Sequence, residues 1–302
     1  MADISPKENL ESRPNLHFYH VDHSDEKADE SWEHIKNADI FLIEFVASKE
    51  QKQYIENIVN TGAMSTPEDK ARACRDLRSL LQGPEYFLQI ATRVINTGKE
   101  LHLIDVDEND KASEELSLGT NFLEKAASGY LRQDYDNSLS DYVEFIDLYA
   151  KSGVKREKAV ANEIQTFLDS KKDSWAHKNI VVIQGAIHTS TYHRVKNSNP
   201  NANLSRAFPT KEFYYGPTHA LIRKIGFGKP VFLDDYKRGY LELLVISDAL
   251  EESKGNSMND EERFRASTKI AGEMSALDVE KYWQELKAGK LDTGKLISKY
   301  LK

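Results

Sequence analysis

Four short apolar runs interrupt a chain whose polar and apolar positions otherwise follow helical spacing. Residues 16–21, 40–46, 101–106 and 179–184 are short apolar runs that read as strands, and 40–46, nearly all apolar except for Glu44, has the pattern of a strand covered on both faces. Between them the spacing predicts helices over 31–36, 49–60, 70–81 and 85–96. Thr66-Pro67 supplies a capping hydroxyl and a first-turn proline, and Thr97-Gly98 supplies a stop. Residues 112–170 read as helix with interruptions at Gly129 and Gly153. Beyond the fourth strand come a loop over 197–203, a helix over 218–225, a short strand over 230–233 and a helical tail that includes 279–288 and 294–301. Strands separated by helices predict an α/β fold: a single mixed or mostly parallel sheet with helices on both faces and a helical C-terminal tail. Without a repeat or a linker, 1–302 reads as one domain, with 16–235 the sheet-containing core and 236–302 a helical extension.

Composition narrows the picture. A length of 302 residues with 39% hydrophobic content suffices for a sizeable core. No run approaches the roughly 18 to 20 apolar residues of a membrane span, and residues 1–14 are polar, so the expected location is the cytoplasm, with no membrane partner. The single cysteine, Cys74, excludes an intramolecular disulfide, fits a reducing compartment, and falls on a helix face as packing. A formal charge of −8 leaves no extended basic surface, which argues against nucleic acid as a partner. The expected partner is a small-molecule or peptide substrate.

Candidate chemistry gathers where strands end. In open parallel sheets ligands bind outside the carboxyl ends of the strands. His20-Val21-Asp22-His23 closes the first strand, and since strand side chains alternate, only one imidazole faces a given side. His23, at the exit, is the candidate, and His20 reads as packed or surface. Glu44 is the one ionisable residue within 40–46, and a carboxylate in such a strand requires a partner: a salt bridge to Arg156 or Arg223, or a catalytic or metal-binding role. Gly185-Ala186-Ile187-His188 carries the fourth strand into a second histidine. One carboxylate and two imidazoles form a donor set for a divalent metal (Mn, Co or Zn), or for acid–base work on water. Arg156 could fix a carboxylate or an oxyanion through its planar fork. His17, His34, His102, His177 and His219 read as structural. His219 stands at a helix start, where polar groups often face a pocket, and Asp234-Asp235 reads as a solvated loop.

In their order, these segments resemble the Tiki/TraB group of metal-dependent hydrolases, with the related erythromycin esterase-like and ChaN-like proteins. The resemblance rests on His20-Val21-Asp22-His23 against a Gly-x-x-His and on Ala38-Asp39-Ile40-Phe41-Leu42-Ile43-Glu44 against an acid-terminated strand. It extends to the Arg156–Ile164 segment against an Arg-bearing helix, and to Gly185-Ala186-Ile187-His188 against a second Gly-x-x-His. It spans residues 16–193, and it departs at His20, where the family has glycine. The resemblance implies a shared α/β fold and carries over His23, Glu44, Arg156 and His188 as site residues of a metal-dependent hydrolase. Two alternatives stay open: a non-catalytic protein binding haem or another small ligand through histidines and the aromatic run Phe213, Tyr214 and Tyr215, or a member whose site has decayed.

Overall fold

A computed structural model describes residues 15–21, 28–81, 85–107, 110–170, 177–185, 188–200, 202–208, 216–254, 258 and 260–300. Five strands, β1 (Asn15–Val21), β2 (Ile40–Glu44), β3 (Glu100–Ile104), β4 (Asn179–Gly185) and β5 (Asn203–Ala207), form one sheet in the order β3-β2-β4-β1-β5. Every pairing is parallel, with Leu16 opposite Ile180 and Leu204, and Phe41 opposite Leu101 and Val181. The helices are α1 (Ala28–Ile35), α2 (Lys49–Ala63), α3 (Pro67–Leu80), α4 (Glu85–Thr97), α5 (Lys111–Leu131), α6 (Tyr135–Ser170) and α7 (Thr189–Ser198). After them come α8 (Pro217–Gly226), α9 (Leu233–Tyr240), a π-helical turn Leu241–Ile246, α10 (Ser247–Lys254), α11 (Asp260–Glu273), α12 (Ala276–Lys287) and α13 (Thr293–Tyr300).

The chain folds as two compact units, each assembled from separated stretches. One comprises Met1–Asp105, Lys158–Gly185 and Thr189–Ala207. The other comprises Val106–Glu157, Ala186–His188 and Phe208–Lys302.

In the first unit, strand alternation sorts the core onto two faces. Tyr19, Val21, Phe41, Ile43, Leu101, Leu103, Val181 and Ile183 pack against α1 to α4. Leu16, Phe18, Ile40, Leu42, Ile180 and Val182 pack against Val160, Ile164 and Leu168 of α6 and Tyr192 and Val195 of α7. Covering both faces explains the uninterrupted apolar runs. The α2–α3 crossing is close: a Cβ built on Gly62 would lie 2.6 Å from the Ala73 Cβ. Thr66 caps α3 by accepting from the Asp69 N–H, and Gly98 ends α4 with a φ of 71°. Cys74 packs half-buried on α3, where burial pushes its thiol pKa up.

The second unit is helical, and its core joins Ala126, Leu139, Tyr142 and Ile146 to Leu221, Tyr240, Val245, Ile270 and Trp283. Tyr240 stands edge-on to both Tyr142 (5.7 Å) and Trp283 (5.4 Å), and its hydroxyl is 2.7 Å from the Ser138 hydroxyl. No helix among the described residues is long and apolar enough to cross a membrane.

Several expectations need correction. The interruptions at Gly129 and Gly153 do not occur: Gly129 lies inside α5 and α6 runs unbroken through Gly153. The break falls at 132–134, where Gln133 takes a left-handed φ of 60°. No strand forms at 230–233. Phe232 and Leu233 are 69% and 56% exposed, and Leu233 begins α9. Asp234 and Asp235 therefore occupy a helical first turn instead of a loop, with Asp235 accepting from the Phe232 N–H and pairing with Lys224 at 2.6 Å. The 197–203 loop is shortened by the end of α7, and β5 was not anticipated.

Candidate functional site

Of the residues singled out from the sequence, Glu44 stands at a strand end in the first unit, whereas Arg156, within α6, and His188 belong to the second. Glu44 is the last residue of β2, one position beyond the final β2–β4 register pair, Ile43 with Ile183. There the ladder runs out, and the side chain takes over from the main chain: the Gly185 N–H donates to Glu44 Oε2 at 2.7 Å. A half-buried carboxylate thus receives a directed main-chain donor from a half-buried strand end. The partner required for Glu44 includes a backbone amide, which neither anticipated role had named.

His20 is wholly buried on the α6/α7 face of β1, stacked on Phe18, and its Nδ1 accepts from Gln184 Nε2 at 3.2 Å. That is the packed role expected of it. His23 lies two residues past β1, outside the described residues, as do Phe213, Tyr214 and Tyr215.

In the second unit, His188 is buried, with its Nδ1 3.7 Å from Glu157 Oε1, and both side chains are 10% exposed. At that separation the contact is an ion-pair approach, beyond hydrogen-bond length. Glu157 was not singled out, although its neighbour Arg156 was. The signal was present: Glu157 lies on the buried stripe of α6 formed by Ala150, Val160, Ala161 and Ile164, whereas Arg156 is one position off it and half-buried.

A second unanticipated cluster closes β3. Asp105 is wholly buried. Its N–H donates to Glu163 Oε2 at 2.8 Å, and its carbonyl accepts from the buried Lys52 ammonium. Lys52 shares the stripe of Ile55 and Val59 on α2, an apolar position at which a lysine needs a reason. At the start of α7, the Thr191 hydroxyl is buried with no hydrogen-bond partner among the described residues.

Of the remaining histidines, His102 contacts Glu100 at 2.7 Å and the edge of Phe167, which fits a structural role. His17 and His34 are not isolated. His17 Nδ1 is 2.8 Å from the Ser205 hydroxyl, and burial, with the His34 ring second, lowers its pKa. His219 does line a cavity, in the second unit. In the first unit, cavities of about 700 Å³ and 350 Å³ open at the amino ends of the strands, beside Asp39, Lys99 and Lys178 and beside His17, His34 and Asn179 respectively. Among the described residues no group of three or more His, Cys, Asp or Glu is placed to hold a metal ion, and His23 is not among those residues.

No family model matches the chain, and neither a curated protein nor a solved structure is significantly similar to it.

Proposed function

We propose that this chain is a hydrolase of a small-molecule or peptide substrate, with His23, Glu44 and His188 acting on water and Arg156 binding the developing anion. The observation that carries this reading is topological. The connection leaving β1 enters α1, and that leaving β2 enters α2, both on one face of the sheet. The connection leaving β4, which lies between them, enters α7 on the other face. Connections that depart to opposite faces open a crevice at the strand ends, the usual ligand position in open α/β sheets. Glu44 ends β2, and His23 and His188 follow β1 and β4 by two and three residues.

The donor chemistry, two imidazoles and a carboxylate, suits a divalent ion such as Mn, Co or Zn. Nδ1 of His188 lies 3.7 Å from Glu157 Oε1, so a carboxylate stands beside this imidazole. A bound ion would supply a lowered water pKa and a polarised carbonyl. The chain's own work is to hold Glu44 through the Gly185 N–H, accept the water proton on a histidine, and meet the oxyanion with the Arg156 guanidinium. The lone, packed Cys74 supports a cytoplasmic setting.

The test is hydrolysis of 4-nitrophenyl esters and a peptide panel by the full chain, metal-stripped and then reloaded with Mn, Co or Zn. Glu44→Gln keeps an acceptor for the Gly185 N–H, and His188→Ala removes one imidazole. Each variant should lose about 100-fold or more in kcat/KM with its thermal midpoint nearly unchanged. Full hydrolysis by both variants, or none by the wild-type chain under any metal, removes the proposal.

A further inference from the structure

The helical unit holds a buried carboxylate that the proposed hydrolytic site does not use. Glu242 sits in the π-helical turn, 2% exposed, at the wall of a cavity of about 390 Å³. Single wide turns of this kind frequently mark functional positions. Glu242 Oε2 accepts from the Thr218 N–H (2.8 Å) and hydroxyl (2.7 Å), and Oε1 accepts from the Thr268 hydroxyl (2.7 Å). All three donors are neutral. Thr218 lies in the first turn of α8, whose N-terminus offsets part of the charge. Among the described residues no Lys, Arg or His pairs with Glu242, whereas buried carboxylates are usually matched by a cation. Burial raises its pKa against the pull of those three donors.

Among the described residues of the wall, Arg263 is the one permanent cation. Burial, with Arg223 second, pushes the His219 pKa down to about 4, so this imidazole is neutral near pH 7. Arg263 is committed to Glu251 at 2.8 Å. Among the described lining residues, an ionised Glu242, Glu251 and Arg263 sum to one negative charge. Ser247 and Ser267 add hydroxyls, and Phe264, edge-on to His219 at 5.9 Å, adds an aromatic surface beside Leu243. An ammonium finds a carboxylate, hydroxyl acceptors and a ring within one volume, and the volume lies in the range of small-molecule pockets.

We propose that this cavity binds a small primary amine with an apolar body, its ammonium on Glu242 and its body against Phe264 and Leu243. The site is independent of the hydrolytic reading. The experiment uses the full chain at neutral pH with phenethylamine as probe and 2-phenylethanol as the neutral counterpart of the same shape, by calorimetric titration and thermal shift. Phenethylamine should bind one to one, and the alcohol at least about tenfold more weakly. Glu242→Gln should weaken the amine by a similar factor. Ser247→Leu, which fills the cavity and leaves the carboxylate in place, should do the same, and it decides the matter if the first variant does not fold. Absence of amine binding, equal binding of the alcohol, or amine affinity untouched by substitution overturns the assignment.

Discussion

A carboxyl group sealed among helices resists losing its proton, and at Glu242 that resistance makes stability depend on pH. Burial raises its folded pKa above the ordinary 4.5, and the Thr218 and Thr268 donors oppose the rise without cancelling it. Below 4.5 the group is protonated in both folded and unfolded chains, and the full stability is present. As pH climbs from 4.5 through the raised folded value, the unfolded chain ionises first and gains the advantage, so stability is lost across that window. Asp235 and Asp278 have lowered values and work in the opposite sense, so the informative quantity is a difference between variants. Urea midpoints of the wild-type chain and Glu242→Gln, taken from pH 4 to pH 8, should diverge, the wild type losing ground to the glutamine variant as pH rises. Parallel profiles would mean that Glu242 keeps its ordinary pKa in the fold.

Between elements, the sharpest constraint is the α2–α3 crossing. Glycine inside a helix normally costs about 0.5–1 kcal/mol relative to alanine, so Gly62→Ala in isolation would stabilise α2. Here the added methyl would meet the Ala73 Cβ at 2.6 Å and Ile95 at 3.4 Å, and overpacking of this kind costs about 1–3 kcal/mol. Overpacking wins, and Gly62→Ala should lower the unfolding free energy by about 1 kcal/mol or more. Removing the opposing methyl with Ala73→Gly should relieve the clash, so the two substitutions together should cost less than the sum of each alone. A Gly62→Ala chain as stable as the wild type in urea would show that the helices part freely. Elements of this kind were legible where one signal dominated: β1 to β4 as apolar runs, α3 from its Thr-Pro start, α4 from its Gly98 stop. β5 escaped because an edge strand with polar Asn203, Ser205 and Arg206 carries no apolar run, a composition that guards an open edge. The 230–233 segment misled because Val231, Phe232 and Leu233 form such a run without being buried in a sheet. Glu44 was legible as an anomaly in a buried strand. Glu157 and Lys52 were legible only in the phase of their helices, which a reading of charge alone passes over.

At the scale of the whole chain, neither compact unit is a continuous stretch, and that has a consequence for any attempt to divide the molecule. The core of the helical unit takes Ala126, Tyr142, Phe145 and Ile146 from before β4, and Leu221, Leu241, Val245, Leu250, Ile270 and Trp283 from after β5. Cutting the chain at 207 separates these two sets. Each large apolar side chain returned to water forfeits about 1.5–3 kcal/mol, and roughly ten of them exceed the 5–15 kcal/mol by which a native domain is stable. A chain of residues 1–207 should therefore expose the apolar faces of α5 and α6 and aggregate, while residues 208–302 alone should lack the helix whose Tyr142 packs edge-on against Tyr240. Expressed together, the two pieces regain each other's surfaces and should co-purify as a soluble complex with a cooperative melt by circular dichroism. If either piece alone proved soluble and melted cooperatively, the two halves of that helical core would not depend on each other for folding.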